Sequence, residues 1–150
     1  MQIVRARPED AAELTAVAFA AKRNWGYPES WIQGWRDILT VTPKLVAENP
    51  TFSATEADRV VGFYSLTAGP HPDLTHLWVL PVAMGRGFGR ALFEHAVEQA
   101  RALGLASFEI EADPNAEGFY LHMGAKRIGT NVSEIEGARR ELPLLIYRME

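Results

Sequence analysis

Apolar residues along the 150-residue chain change their spacing several times, and each change marks an element. Residues 1–6 alternate Ile3 and Arg5 against Val4 and Ala6, which predicts a strand, and Pro8-Glu9-Asp10 then places proline and acids in a first helical turn. Leu14, Val17 and Ala18 carry an apolar stripe along a helix over 10–21. The aromatic turn Asn24-Trp25-Gly26-Tyr27-Pro28 ends it, and a second helix is predicted over about 30–39, with Trp31, Trp35 and Ile38 on one face. Stretches 52–56 and 60–66 read as strands joined by the polar turn 57–59, hence an antiparallel hairpin. After the turn-rich segment 69–73 comes a strand over 75–80, closed by Pro81.

The rest of the chain is organised around residues 77–103. They join that strand to a loop of alternating glycines and a long helix striped by Leu92, Phe93, Ala96, Val97, Ala100 and Leu103, with Gly104 as its stop. Phe108 and Ile110 alternate with Glu109 and Glu111 in a strand over 107–112, so strand, helix and strand form a parallel βαβ unit. Asp113 is placed to cap a short helix that has Pro114 at its first position and runs to Met123, with Gly124 as its breaker. Strands over 126–132 and 142–149 close the chain around a polar segment, 133–140. The fold class is therefore α/β with a mixed sheet, antiparallel up to the glycine-loop strand and parallel from there to 107–112, with helices on both faces.

Composition narrows the partners. With 47% hydrophobic and 23% charged residues, 150 residues suit one globular domain spanning 1–150. The longest apolar runs, such as 143–146, are far too short for a bilayer, and the N-terminal stretch lacks an apolar signal core, so a cytoplasmic location without membrane contact is expected. No cysteine is present, which removes disulfides, thiolate metal sites and a cysteine nucleophile. A net charge of −4 argues against nucleic acid as the main partner, whereas Arg86 with Arg90 and Arg139 with Arg140 suit a small anion. His71, His76, His95 and His122 are scattered without metal-site spacing, so no metal is expected.

The candidate chemistry sits in the loop. Gly85, Gly87 and Gly89 carry no Cβ, so consecutive backbone N–H groups can converge on one anion at the positive end of the following helix, with Arg86 and Arg90 beside them. Met84-Gly85-Arg86-Gly87-Phe88-Gly89 resembles the Q/R-x-x-G-x-G/A loop of the GCN5-related N-acetyltransferases, with Met84 where Gln or Arg is usual. Further on, Asp113-Pro114-Asn115-Ala116 with Phe119-Tyr120 and Gly124 resembles that family's N/D-P-x-A…F-Y-x-x-x-G segment. The resemblance implies a fold in which the two parallel strands splay apart to admit the pantetheine arm of acetyl-coenzyme A. It further implies pyrophosphate on the amides of Gly85, Arg86, Gly87, Phe88, Gly89 and Arg90, pantetheine along Leu77, Trp78 and Val79, and an arm contact from Asn115. Tyr120 is implied as the acid beside sulfur, and the backbone N–H of Val79 as the oxyanion donor.

The activity implied is transfer of an acetyl group to a primary amine, small or peptidyl. Glu109, Glu111 and His76 are the candidates to deprotonate that amine. Trp25, Tyr27 and Trp31 either pack between helices or line the acceptor pocket. A non-catalytic acyl-coenzyme A sensor on the same fold is the main alternative. A dinucleotide-binding domain is the other, and it fails in detail because Arg90 replaces the third glycine of its fingerprint. The pattern leaves the oligomeric state open, a homodimer included.

Overall fold

The computed structural model describes residues 1–149. Seven strands form one sheet in the order β1-β2-β3-β4-β5-β7-β6. They are β1 (Gln2–Arg5), β2 (Thr51–Glu56), β3 (Arg59–Thr67), β4 (Asp73–Val79), β5 (Ser107–Glu111), β6 (Lys126–Ile135) and β7 (Ala138–Arg148). Every neighbouring pair is antiparallel except β4 and β5, which are parallel, as the βαβ reading requires.

Helices cover both faces. On one, α1 (Ala11–Arg23) buries Leu14, Val17 and Ala18 against Phe63 of β3. On the other, α5 (Phe88–Ala102) buries Leu92, Phe93, Ala96, Val97 and Ala100 against Tyr64, Leu66, Phe108 and Leu145. These are the stripes read from the sequence, and the sheet between them is apolar on both faces.

Three elements differ from expectation. The predicted helix over 30–39 is broken into α2 (Glu29–Gly34) and α3 (Arg36–Leu39), since Trp35 leaves the helical region at φ −93°, ψ 9°. That turn buries Trp35 and Leu39 but leaves Ile38 71% exposed, so Ile38 is not on the tryptophan face. A further helix, α4 (Pro43–Glu48), comes next; its signal was Thr42-Pro43, where the Thr42 hydroxyl accepts from Leu45 N–H at 3.1 Å and proline takes the first position. The closing strands also run much further into 133–140 than predicted, because a two-residue turn at Glu136 (φ 48°) and Gly137 (φ 80°) suffices to reverse the chain. Polar residues there mark exposed strand positions rather than a loop.

The arrangement of β3, β4 and β5 builds the site. Ser65 pairs with His76 but Leu66 pairs with Leu74, so Thr75 is an extra residue bulged out of β4. A bulge bends its strand and sharpens the twist. Asp73 opposite Glu109 is the one pairing of β4 with β5, anchored by Glu109 N–H to Pro72 O at 2.9 Å. Beyond that point β5 continues beside β7 alone, and a wedge opens between the two parallel strands.

Candidate functional site

Backbone groups line the wedge first. Leu80 N–H donates to Val61 O at 2.8 Å, on the β3 side. Successive residues of a strand turn their N–H groups to opposite sides, so Val79 and Leu77 direct theirs away from β3, into the wedge. Among the described residues no strand is there to receive them.

At the mouth of the same strand, Pro81–Ala83 forms a 3-10 turn, Gly85 adopts φ 75° and Gly87 caps α5 at φ 88°. A Cβ at either glycine would meet nothing within 4 Å, so what these positions need glycine for is the backbone conformation. The first bond of the helix is Ala91 N–H to Gly87 O at 3.1 Å, which leaves the N–H groups of Phe88, Gly89 and Arg90 without helical partners. This cradle of free donors at a 15-residue helix start suits a phosphate. Phe88 serves it through its backbone only, because its ring is 3% exposed in the core. Arg86 and Arg90 are already engaged: Arg86 forks onto Glu56, with Nη1 to Oε1 at 3.1 Å, and Arg90 Nε reaches Glu94 at 2.9 Å.

A cavity of about 270 Å³ occupies the wedge. Leu77, Trp78, Val79 and Gly89 line it from the β4 and loop side, Glu111, Asn115 and Tyr120 from the β5 side, and Trp25 from the helical side. Tyr120, on α6 (Glu117–His122), is 7% exposed and packs against Phe119 and Phe93 at centroid distances of 5.2 and 6.0 Å. Its hydroxyl has no hydrogen-bond partner among the described residues. Burial first, and then the carboxylates of Asp113 and Asp73, push this phenol well above its ordinary value, so it keeps its proton throughout the physiological range.

Other expected residues lie elsewhere. His76 is 4% exposed, faces Phe63 and accepts from Trp78 Nε1 at 3.0 Å. Burial holds its imidazole down at about 4, and it does not line the cavity, so it is not placed to deprotonate an acceptor. Tyr27 and Trp31 also stay outside the cavity wall: they stack at 6.0 Å beside Trp35, and the cations of Lys22 and Arg140 sit over Tyr27 and Trp35. Of the three aromatics proposed for an acceptor, Trp25 alone lines the wedge.

That packing surrounds a buried polar network. Lys22 Nζ donates to Asp113 Oδ2 at 2.6 Å, Arg140 Nη2 donates to the Tyr27 hydroxyl at 2.8 Å, and Asn115 Nδ2 donates to the same hydroxyl at 3.1 Å. Asp113 also caps the turn after β5 by accepting from Asn115 N–H at 2.8 Å, as its sequence position implies. Burial would raise its carboxyl, but Lys22, helped by the Asn115 N–H and the Tyr27 hydroxyl, holds it below the usual carboxylate value. Arg140 is consumed here and Arg139 pairs with Glu141, so this basic doublet is not an anion site.

Asp73 escaped the sequence reading. It is the first residue of β4, hidden there by the turn-rich run before it. Burial, with Glu109 and Glu111 nearby, raises its carboxyl to about 6.

The chain as a whole resembles known proteins. The acetyltransferase (GNAT) domain model matches residues 40–139, and the chain belongs to that family. It is 38% identical over 109 residues to the peptidyl-lysine N-acetyltransferase YjaB of Salmonella typhimurium strain LT2, and 36% identical over 110 residues to its namesake from Escherichia coli K12. Each match takes in 73% of this chain and 66% of the relative, just under two thirds of its length. Among solved structures, a GCN5-related N-acetyltransferase from Rhodopseudomonas palustris superposes with a TM-score of 0.79 at 25% identity, covering 99% of this chain and 95% of that one. The PaiA N-acetyltransferase of Thermoplasma acidophilum, solved in complex with coenzyme A, superposes with a TM-score of 0.74 at 18% identity over 99% and 98% of the two chains.

Proposed function

We propose that the protein is an N-acetyltransferase that moves the acetyl group of acetyl-coenzyme A to a primary amine, with a lysine side chain of a peptide as the first acceptor to test. The observation that carries this is the wedge itself: a cavity bounded by Gly89 at the start of α5, the free edge of β4 and the buried hydroxyl-bearing Tyr120. The relatives named as peptidyl-lysine N-acetyltransferases support the choice of acceptor.

In this reading the pyrophosphate rests on the amides of the loop from Gly85 to Arg90, where free N–H groups and the helix dipole meet. The pantetheine amides find partners in the unpaired groups of Leu77 and Val79, and Asn115 contacts the arm. Bound acetyl-coenzyme A supplies the thioester, and the neutral amine attacks its carbonyl directly. The N–H of Val79 meets the developing oxyanion. Tyr120 protonates the departing sulfur, a role suited to a phenol that burial keeps protonated.

Thiol release from acetyl-coenzyme A, followed with a panel of amines that includes lysine peptides, tests the proposal. Amine-dependent release is the expected result. Tight coenzyme binding without release to any amine would make the protein a sensor instead.

A further inference from the structure

We propose that Tyr27, Asp113, Lys22 and Arg140 lock the side-chain amide of Asn115 in one orientation, its oxygen left free to accept from an amide N–H of the pantetheine arm. The inference rests on the coenzyme site proposed above and assigns that site a set of positioning residues, of which Asp113 alone lines the cavity.

The orientation follows from the supply of donors and acceptors. The side-chain nitrogens of Lys22, Arg140 and Asn115 only donate, and an ionised Asp113 only accepts. The Tyr27 hydroxyl accepts from Arg140 Nη2 at 2.8 Å and from Asn115 Nδ2 at 3.1 Å, so its own proton goes to Asp113, whose Oδ2 lies at 3.0 Å. That is the full capacity of a phenol oxygen. Asp113 is equally saturated: Oδ1 accepts from Asn115 N–H at 2.8 Å and from Asn115 Nδ2 at 2.9 Å, and Oδ2 accepts from Lys22 Nζ at 2.6 Å and from Tyr27. Both protons of the Asn115 amide are therefore engaged, one by Tyr27 and one by Asp113. A flipped amide would set its oxygen against the Asp113 carboxylate, acceptor to acceptor, and leave the Tyr27 hydroxyl without a donor.

The lock is assembled from distant parts of the chain. Lys22 comes from α1, Tyr27 from the turn after it, Asp113 and Asn115 from the segment after β5, and Arg140 from β7. Lys22 and Arg140 also lie over the Trp35 ring, at 4.4 and 4.8 Å from its centroid. A polar network with every member satisfied holds one arrangement. What it leaves unused is Asn115 Oδ1, which has no donor among the described residues and belongs to an exposed residue on the cavity wall.

The facing wall supplies the opposite polarity. Leu77 and Val79 line the cavity from β4 and turn backbone N–H groups into it, so they offer donors where Asn115 offers an acceptor. Each amide of the pantetheine arm carries one C=O and one N–H, and the two walls together satisfy both. Tyr27 thus acts on the coenzyme side of the wedge, through Asn115, rather than as a wall for the acceptor.

The test is calorimetric titration of Tyr27→Phe with coenzyme A and with 3′-phospho-ADP, the part of the coenzyme that keeps the pyrophosphate and lacks the arm. The Phe ring still stacks on Trp31 and Trp35, and only the hydroxyl is lost. Coenzyme A affinity should fall about fivefold, the effect of a hydrogen bond or two, while 3′-phospho-ADP affinity stays within about twofold. In an Asn115→Ala background Tyr27→Phe should add no further loss, because it acts through that amide. Equal weakening of both ligands, or a full further loss in the Asn115→Ala background, would overturn the lock in favour of a general structural role. A measurement on the unaltered free protein needs no variant: by NMR, both Asn115 side-chain protons should be protected from exchange with water although the residue is exposed. An unprotected NH₂ would overturn the lock. Binding of neither ligand by the unaltered protein would instead remove the coenzyme reading, with proton exchange at Asn115 still deciding the lock.

Discussion

At the scale of single residues, two aspartates have opposite electrostatics: Asp113 on the wall of the wedge, and Asp73 where β4 pairs with β5. Asp113 gains Lys22 as a partner, and both side chains are nearly buried, at 7% and 10% exposure. Asp73 gains only other carboxylates. For Asp113 the folded state favours the charged form, so its contribution to stability is present above the ordinary carboxylate value and is lost as pH falls through the lowered one. Asp113→Asn should therefore destabilise the protein by about 3–5 kcal/mol at pH 7, since it strands the buried Lys22 charge. Urea unfolding should show that gap narrowing as pH falls below 4, where the unaltered protein loses the same pairing. A gap independent of pH would mean that packing, not charge, holds this network.

Residue identity alone did not disclose these roles. His76 and Glu111 both stand on strands at alternating positions, and only the sheet's layers decide that one is buried against Phe63 while the other lines the cavity. Tyr27 and Trp31 were readable as aromatics near an acceptor. Their ring stack and the cations over Tyr27 and Trp35 depend on Lys22 and Arg140, which approach from distant parts of the chain.

At the scale of elements, the loop and α5 were legible because their physics is local. A glycine at φ 88° capping a striped amphipathic helix needs no tertiary partner to be recognised. The broken helix at Trp35 and the short α4 were not, since each is too short to show a period and is held by burial of Ile32, Leu39 and Val46. The Thr75 bulge was equally invisible, because a bulge is a mismatch between two strands and belongs to neither sequence alone. The loop carries its own prediction. Gly87→Val introduces a β-branched residue where φ is positive and a Cβ meets open space, so the protein should fold with a strain of about 1–2 kcal/mol. Coenzyme A binding, measured by calorimetry, should weaken at least tenfold, about 1.4 kcal/mol, because that open space is where a phosphate would approach. Arg86→Ala should weaken it less, since Glu56 already holds that guanidinium. Unchanged affinity in folded Gly87→Val would rule out the amide cradle as the pyrophosphate site.

At the scale of the molecule, the proposed function depends on a separation rather than a contact. A seven-stranded sheet whose two parallel strands meet only at Asp73 and Glu109 leaves backbone donors, an acid and a helix start facing one cavity. The sequence could announce the strand order through the βαβ unit, and the family resemblance supplied the expectation that these strands part. The cause of the parting is in the pairing register. The proposed protonation of the leaving sulfur by Tyr120 is the central chemical step of the acetyltransfer reading of this wedge, and steady-state thiol release by Tyr120→Phe, read beside coenzyme affinity, puts it to the test. The expected result is a fall in kcat of at least about tenfold, within the range typical of a placed acid, with affinity changed by no more than a few fold. Full kcat in the Phe variant would contradict it.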